Sequence, residues 1–291
     1  MAVYLLHLLT LGCILAIAVV SLQLLVSTTG LLSVAHAVFL GIGAYAAGIG
    51  VTLWHFTAIG EIGLAIVCAS IISLMVSVPS LRLREDYFAI STFGLQMIAS
   101  GVLLNWMPVT NGPLGIGGIG QLSIGGFSVK SSYPFFLLVL FICSVAVVIA
   151  ESINASRYGL ILRAIRSDEL FAQSLGKRTL WFKVKIVALS AVLTSIAGVL
   201  YAHFLTYIDP SSFSLMDSVQ VLSMVVIGGT RPLGAVAGTM ILVLLPEALR
   251  FLGLPAALAA NIRQVLYGVL IVVVVAFRPR GIFSFHERTA A

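Results

Sequence analysis

Eight stretches of the chain, near 3–26, 36–56, 61–79, 87–105, 133–150, 181–204, 234–252 and 262–277, run almost without charged side chains. Each is about the length a helix needs to cross a hydrocarbon layer of roughly 30 Å. A backbone in lipid must satisfy its own N–H and C=O groups, which leaves only helices and closed barrels. Barrel strands alternate apolar and polar residues, whereas these runs are apolar nearly throughout, so they predict helices. A ninth run, 217–229, is short. The expected fold is all-α: a polytopic transmembrane helical bundle of eight or nine membrane segments, with nine crossings if 217–229 spans and eight if it is re-entrant.

A soluble domain is excluded by a mean hydropathy of +1.15, with 60% hydrophobic and 9% charged residues, because such a surface cannot meet water. The first run has no Lys or Arg ahead of it and no small-residue cleavage site after it, so it reads as a first span and not as a removable signal. Cys13, Cys68 and Cys143 are far apart in the sequence, lack metal-ligand spacing and read as small buried hydrophobes.

A net charge of +6 would suggest nucleic acid in a soluble protein. Here the positive-inside rule accounts for it, and no nucleic-acid partner is expected. The basic blocks are Arg82 with Arg84, the 156–185 segment, and the tail Arg278, Arg280 and Arg288. Placing all three in the cytoplasm puts the 106–132 loop and the N-terminus outside, and the C-terminus inside if 217–229 crosses. The chain then reads as a single multi-pass domain, 1–291, of the cell's inner (plasma) membrane, with 151–185 as a cytoplasmic segment within it. The 106–132 loop is rich in Gly and Pro and predicts turns. No P-loop ending occurs anywhere in the chain, so ATP is not bound by that device.

Seven of the sixteen Lys and Arg residues fall between 151 and 185. Within that segment, Ser167-Asp-Glu-Leu-Phe-Ala-Gln-Ser-Leu-Gly176 has the pattern of a short helix. Ser167 is the expected N-cap, Asp168 and Glu169 fill the first turn, Gly176 is placed for a left-handed C-cap, and Lys177 and Arg178 follow. Phe171 and Leu175 share a face, with Ser167 and Ala164 continuing the row. Spacing alone leaves two readings open: a knob for another protein's groove, or a membrane-surface helix whose basic neighbours set topology.

The run Arg163-Ala-Ile-Arg-Ser-Asp-Glu-Leu-Phe-Ala-Gln-Ser-Leu-Gly176 resembles the cytoplasmic coupling loop of ABC importer permeases, specifically the branched-chain amino acid family. Further stretches resemble that family in order: Leu32-Ser-Val-Ala-His-Ala-Val-Phe-Leu-Gly-Ile-Gly-Ala-Tyr45, Tyr87-Phe-Ala-Ile-Ser-Thr-Phe-Gly94, Thr110-Asn-Gly-Pro-Leu-Gly-Ile116, Tyr201-Ala-His-Phe204, Pro210-Ser-Ser-Phe-Ser-Leu215, Val226-Ile-Gly-Gly-Thr-Arg-Pro-Leu-Gly234 and Phe277-Arg-Pro-Arg-Gly-Ile-Phe283. Two departures bear on the solute: Glu85-Asp86 before the Tyr-Phe-Ala stretch, and Gln96-Met-Ile-Ala-Ser100, where relatives often carry a Glu and an Arg.

The resemblance implies an ABC importer permease fold and no enzymatic chemistry, cofactor or metal. It implies ATPase-coupling residues at Arg163, Arg166, Ser167, Asp168, Glu169, Phe171, Ala172, Leu175 and Gly176. A translocation pathway is implied near His36, Tyr87, Thr110, Asn111, Gly112, Pro113, Gly228 and Gly229. The implied partners are ABC ATPase subunits, a second permease subunit, a periplasmic or extracellular solute-binding protein that meets the 106–132 and 205–216 loops, a small-molecule solute and the lipid membrane. A branched-chain or related amino acid is the expected solute, with urea or short amides as the alternative.

Among single residues, Gly41, Gly43, Ala44, Ala47, Gly48 and Gly50 have the spacing that lets membrane helices approach closely, as do Gly234 and Gly238. His36 reads either as pathway-lining or as a histidine hydrogen-bonded between helices. Glu61 and Glu247 sit near span ends, where reaching toward water is the default, and Asp209 and Asp217 read as solvated. Asn154-Ala-Ser156 matches a glycosylation sequon on the side expected to be cytoplasmic and is set aside. No pair of opposite charges stands out inside the spans, which argues against an ion-gradient carrier. The absence of His-Glu-x-x-His argues against a metalloprotease.

Overall fold

A computed structural model describes residues 2–81, 85–120, 122–124, 127–128, 132–250 and the isolated positions 265, 268, 269, 272 and 276. Its helices are α1 (Ala2–Thr29), α2 (His36–Thr52), α3 (Ala58–Ser80), α4 (Glu85–Asn105), α5 (Met107–Thr110), α6 (Ser132–Ala155), α7 (Arg157–Ser167), α8 (Glu169–Ser174), α9 (Thr179–Leu205), α10 (Leu215–Gly228) and α11 (Pro232–Arg250). The all-α bundle is as expected. All of the expected span 262–277 except those five isolated positions, the basic residues Arg82, Arg84, Arg278, Arg280 and Arg288, and the side chains of Glu85, Asp86 and Glu247 lie outside the described residues.

Among the described residues, five helices are long and apolar enough to cross a membrane, in α1, α3, α4, α6 and α9, while α2, α10 and the apolar part of α11 are shorter. The Gly/Pro-rich stretch after α4 is more regular than expected. It holds α5, a 3-10 turn at Gly112–Leu114 and the two-residue strands β1 (Ile116–Gly117), β2 (Ser123–Ile124) and β3 (Phe127–Ser128). β1 pairs antiparallel with β4 (Tyr207–Ile208), placing Ile116 opposite Ile208, and β2 pairs with β3.

The centre of the bundle is α1 and α9, both mostly buried, whereas α3, α4 and α6 expose most of their surface. α2 packs on α9 at close range because glycines face each other across the contact. A Cβ on Gly43 would overlap the carbonyl oxygen of Ser195, and one on Gly198 would overlap that of Leu40. The small-residue stripe therefore does what its spacing predicts.

The contacts sort the elements into two poles. The start of α1 meets the end of α9, with the rings of His7 and Phe204 centred 4.3 Å apart, and the β1–β4 pair lies at that same end. At the opposite pole, Arg166 reaches the end of α1 through Ser27, and Arg163 reaches the end of α6 through Asn154. The 106–120 and 205–208 segments thus share one end of the bundle, and α7 and α8 share the other.

Two connections between the poles are only half helical. His36, the first residue of α2, bonds Ser190, which lies roughly 16 Å along α9 from Thr179 at about 1.5 Å per residue. Residues 30–35 before it are irregular. α10 mirrors this. β4 and a 3-10 turn (Pro210–Phe213) lead inward, α10 begins beside the start of α2, and its far end lies near the end of α1, where Gln23 Nε2 donates to the carbonyl of Thr230. The 217–229 run is therefore short because it is the helical half of a longer connection.

Candidate functional site

α7 and α8 form the only amphipathic, charge-rich layer among the described residues, and side chains set its geometry. Ser156 caps α7 by accepting from the backbone N–H of Gly159 at 3.2 Å, so the sequon serine has a structural task. The backbone breaks at Asp168, in extended conformation, and its Oδ1 accepts from the N–H of Phe171 at 2.9 Å. Asp168, not Ser167, is thus the N-cap of α8. Ser167 closes α7 instead, donating to the carbonyl of Arg163 at 3.1 Å, so the expected row from Ala164 through Ser167 to Phe171 is split between two helices. The aspartate prevails because its carboxylate both accepts from an orphan N–H and favours the helix dipole. Gly176 follows α8 with φ of 76°, the left-handed conformation expected of it.

This short helix turns Ala172 inward and leaves Leu170, Phe171 and Leu175 exposed at 78%, 62% and 63%. Arg163, Arg166 and Glu169 face the protein itself. Arg163 donates to the carbonyl of Asn154, and Arg166 to that of Ser27, each at 2.9 Å. Both fill last-turn carbonyls that have no helical partner. Glu169 accepts from Lys183 Nζ at 2.8 Å. Tyr158 donates to the carbonyl of Phe182 at 2.8 Å, and burial pushes its phenol up to about 12.

A buried polar junction joins the starts of α2 and α10. Ala37 N–H donates to Ser218 Oγ at 3.0 Å, Ser218 donates to Gln96 Oε1 at 3.0 Å, and Gln96 Nε2 donates to the carbonyl of Phe213 at 2.8 Å. On the other side of α2, His36 Nε2 lies 3.0 Å from Ser190 Oγ, which donates to the carbonyl of Ser21 at 2.8 Å. The serine proton is thereby committed, so His36 Nε2 carries the hydrogen and Nδ1 is bare. That atom has no hydrogen-bond partner.

The other residues expected on a pathway are not brought together. Tyr87 is half exposed at the start of α4, Gly228 packs against Ala235 at the pole of α7, and Gly229 ends α10 with φ of 87°. Thr110, Asn111, Gly112 and Pro113 lie at the opposite pole. There Thr110 Oγ1 donates to the carbonyl of Leu103 at 2.8 Å, and Asn111 Nδ2 to that of Gly115 at 2.9 Å.

Two expectations about charges need correction. Glu61 does not reach toward water: it is 2% exposed, and its Oε2 lies 2.6 Å from His203 Nε2. A buried Glu–His pair therefore exists, joining residues 142 positions apart. Asp217 is not merely solvated, because it completes a capping box with Ser214 at the start of α10. Cys13 and Cys143 are free and buried in one hydrophobic cluster, as expected, while Cys68 is only partly buried. Among the described residues no group of three or more His, Cys, Asp or Glu is placed to hold a metal.

Comparison with known proteins agrees with this architecture. Residues 4–275 match the family described as branched-chain amino acid transport system / permease component. The high-affinity branched-chain amino acid transport system permease protein LivM of Escherichia coli K12 is 27% identical over 300 residues, covering 94% of this chain and 68% of that protein. LivM of Salmonella typhimurium LT2 is 27% identical over 288 residues (90% and 65%). A probable LivM of Methanocaldococcus jannaschii is 29% identical over 241 residues (77% and 68%). The matches span about two thirds of the length of these relatives.

Proposed function

This chain belongs to the branched-chain amino acid permease family, the membrane permeases of ABC importers, and from that membership we propose that it carries a branched-chain or related amino acid across the inner membrane. Separate ATPase subunits supply the energy, a second permease subunit completes the pathway, and a solute-binding protein delivers the solute. The pole of α7 and α8 faces the cytoplasm, and the pole of α5 and the β1–β4 pair faces outside. On this reading the N-terminus of α1 lies outside, and the positive-inside rule applied to Arg278, Arg280 and Arg288 puts the C-terminus inside.

The observation that carries the reading is the α8 knob. Three large apolar side chains stand exposed, Leu170 and Phe171 on a six-residue helix and Leu175 at its C-cap; α8 is bonded to α9 through Glu169 and Gln173, and the preceding α7 to α1 and α6 through Arg166 and Arg163. A capped apolar projection of this kind suits a groove on the ATPase. ATP-driven closure then shifts the knob, and the helices behind it change access at the junction of α2 and α10. His36 and the Gln96–Ser218 pair are buried polar groups at the place where the two half-helices meet.

The test is Phe171→Asp, which places a charge in an apolar groove. ATPase copurification from membranes and solute uptake are both expected to be lost. Retention of both removes the coupling assignment. The Glu61–His203 pair is the feature that favours the rival reading, a carrier driven by an ion gradient. In liposomes, the isolated chain without ATPase is expected to give no uptake under a proton gradient.

A further inference from the structure

Lys183 is among the largest fully buried side chains in the chain. It stands near the start of α9, where the helix dipole opposes a cation. A buried ammonium in that place needs an anion nearby. Glu169 supplies one: its Oε2 is 2.8 Å from Lys183 Nζ, while the glutamate side chain remains 34% exposed. The pair joins the first residue of α8 to a position beyond the first turn of α9.

The covalent path between those helices is residues 175–178, with Gly176 at φ of 76°. Gly176 and Lys177 donate back to the carbonyls of Gln173 and Ala172 in α8, and the Arg178 carbonyl accepts from Trp181 and Phe182 in α9, so within this link only the bond from Thr179 N–H to the Lys177 carbonyl crosses the pivot between the two helices, and that pivot is where a movement of α8 would bend the link. Gln173 Nε2 donates to Thr179 Oγ1 at 3.1 Å, but Thr179 is the terminal residue of α9, where helices fray. The ion pair crosses to the second turn and closes a triangle with the connection, so that α8 and the start of α9 behave as one body. α9 is 27 residues long, a rod of roughly 40 Å. It runs past the His36–Ser190 bond to the β1–β4 pair at the other pole.

We propose that Glu169 and Lys183 are positioning residues for transport, an internal brace that passes displacement of the docking knob into α9. This rests on the reading of α8 as the ATPase contact, and it assigns Glu169 an inward role distinct from the outward face of Phe171. Without the brace the knob still docks, but its movement is taken up by the 175–178 connection.

The experiment uses the whole complex of this chain with its partner subunits in membrane vesicles. It reads three quantities: ATPase copurification, ATP hydrolysis and solute uptake. Lys183→Met keeps the volume and apolar burial of the stem while removing the charge. Uptake per ATP hydrolysed is expected to fall by about fivefold or more, the usual scale of a lost coupling, with copurification unchanged. The exchanged pair Glu169→Lys with Lys183→Glu is expected to restore the ratio, because it re-forms an ion pair between the same two positions. Should Lys183→Met fail to accumulate, the exchanged pair against Glu169→Lys alone gives the same comparison. An unchanged ratio in Lys183→Met, or exchange without rescue, overturns the brace. Loss of copurification in Lys183→Met would overturn it too, by making Lys183 part of docking. Failure of the docking reading itself is registered separately, by Phe171→Asp retaining the ATPase.

Discussion

Replacing His203 tests the buried pair at the pole of the β1–β4 strands. Its Nδ1 lies 2.7 Å from the carbonyl of Gly120 and its Nε2 lies 2.6 Å from Glu61 Oε2. A carbonyl has no proton to give, so Nδ1 carries one. The 2.6 Å contact holds one hydrogen between Nε2 and the carboxyl oxygen. His203→Ala removes both bonds and leaves a carboxyl that is 2% exposed facing a void. Breaking a buried pair by removing one member costs about 3–5 kcal/mol. At roughly 2–4 °C per kcal/mol for a chain of this size, the unfolding midpoint falls by roughly 6–20 °C. Glu61→Gln makes the internal control: its amide donates to a bare Nε2 while Nδ1–H holds Gly120, so both contacts survive and the loss stays near 1 kcal/mol. The assay is thermal denaturation of the detergent-solubilised protein, followed by loss of the monodisperse peak. Equal midpoints for wild type and His203→Ala would refute the burial argument. A Glu61→Gln loss as large as that of His203→Ala would refute the proton count.

Gly43→Val is expected to abolish assembly or lower the midpoint by several degrees, since its side chain would occupy the place of the Ser195 carbonyl; Gly63→Val, where a Cβ meets nothing within 4 Å, is expected to be near neutral in the same assay. Asp209 gives a pH prediction. Burial raises its carboxyl, but hydrogen bonds from Ser211 and Ser212 outweigh burial and hold it below the ordinary carboxylate value. With the folded value below the unfolded one, its stabilisation is fully present above about pH 4 and is lost as pH falls through the folded value. Ser211→Ala with Ser212→Ala should therefore make the midpoint drop at a higher pH during acid titration. An unchanged acid limb would contradict this.

The fold class and most helices were legible in the sequence because lipid imposes a local rule: an apolar run of sufficient length must be a helix. Gly176 was legible for a similar reason, since a left-handed residue after a short helix strongly favours glycine. The N-cap of α8 was read one residue early. Ser167 and Asp168 both suit that role, and the choice depended on where α7, anchored to α1 and α6 by Arg166 and Arg163, came to its end. The half-helical character of α10 showed in the sequence only as a run too short to span.

Four facts about this protein follow from sequence alone: its helices, its membrane setting, its charge-rich layer between residues 151 and 185, and its glycine contact stripe. Each depends on neighbours within one or two turns along the chain. Which polar groups meet was decided by the tertiary structure: Glu61 with His203, Glu169 with Lys183, and Gln96 with Ser218 across 122 positions. A lone ionisable residue in an apolar run looks the same whether it reaches the interface or finds a partner. Only the packing that brings a distant helix alongside it selects between the cost of burial and the gain of a hydrogen bond.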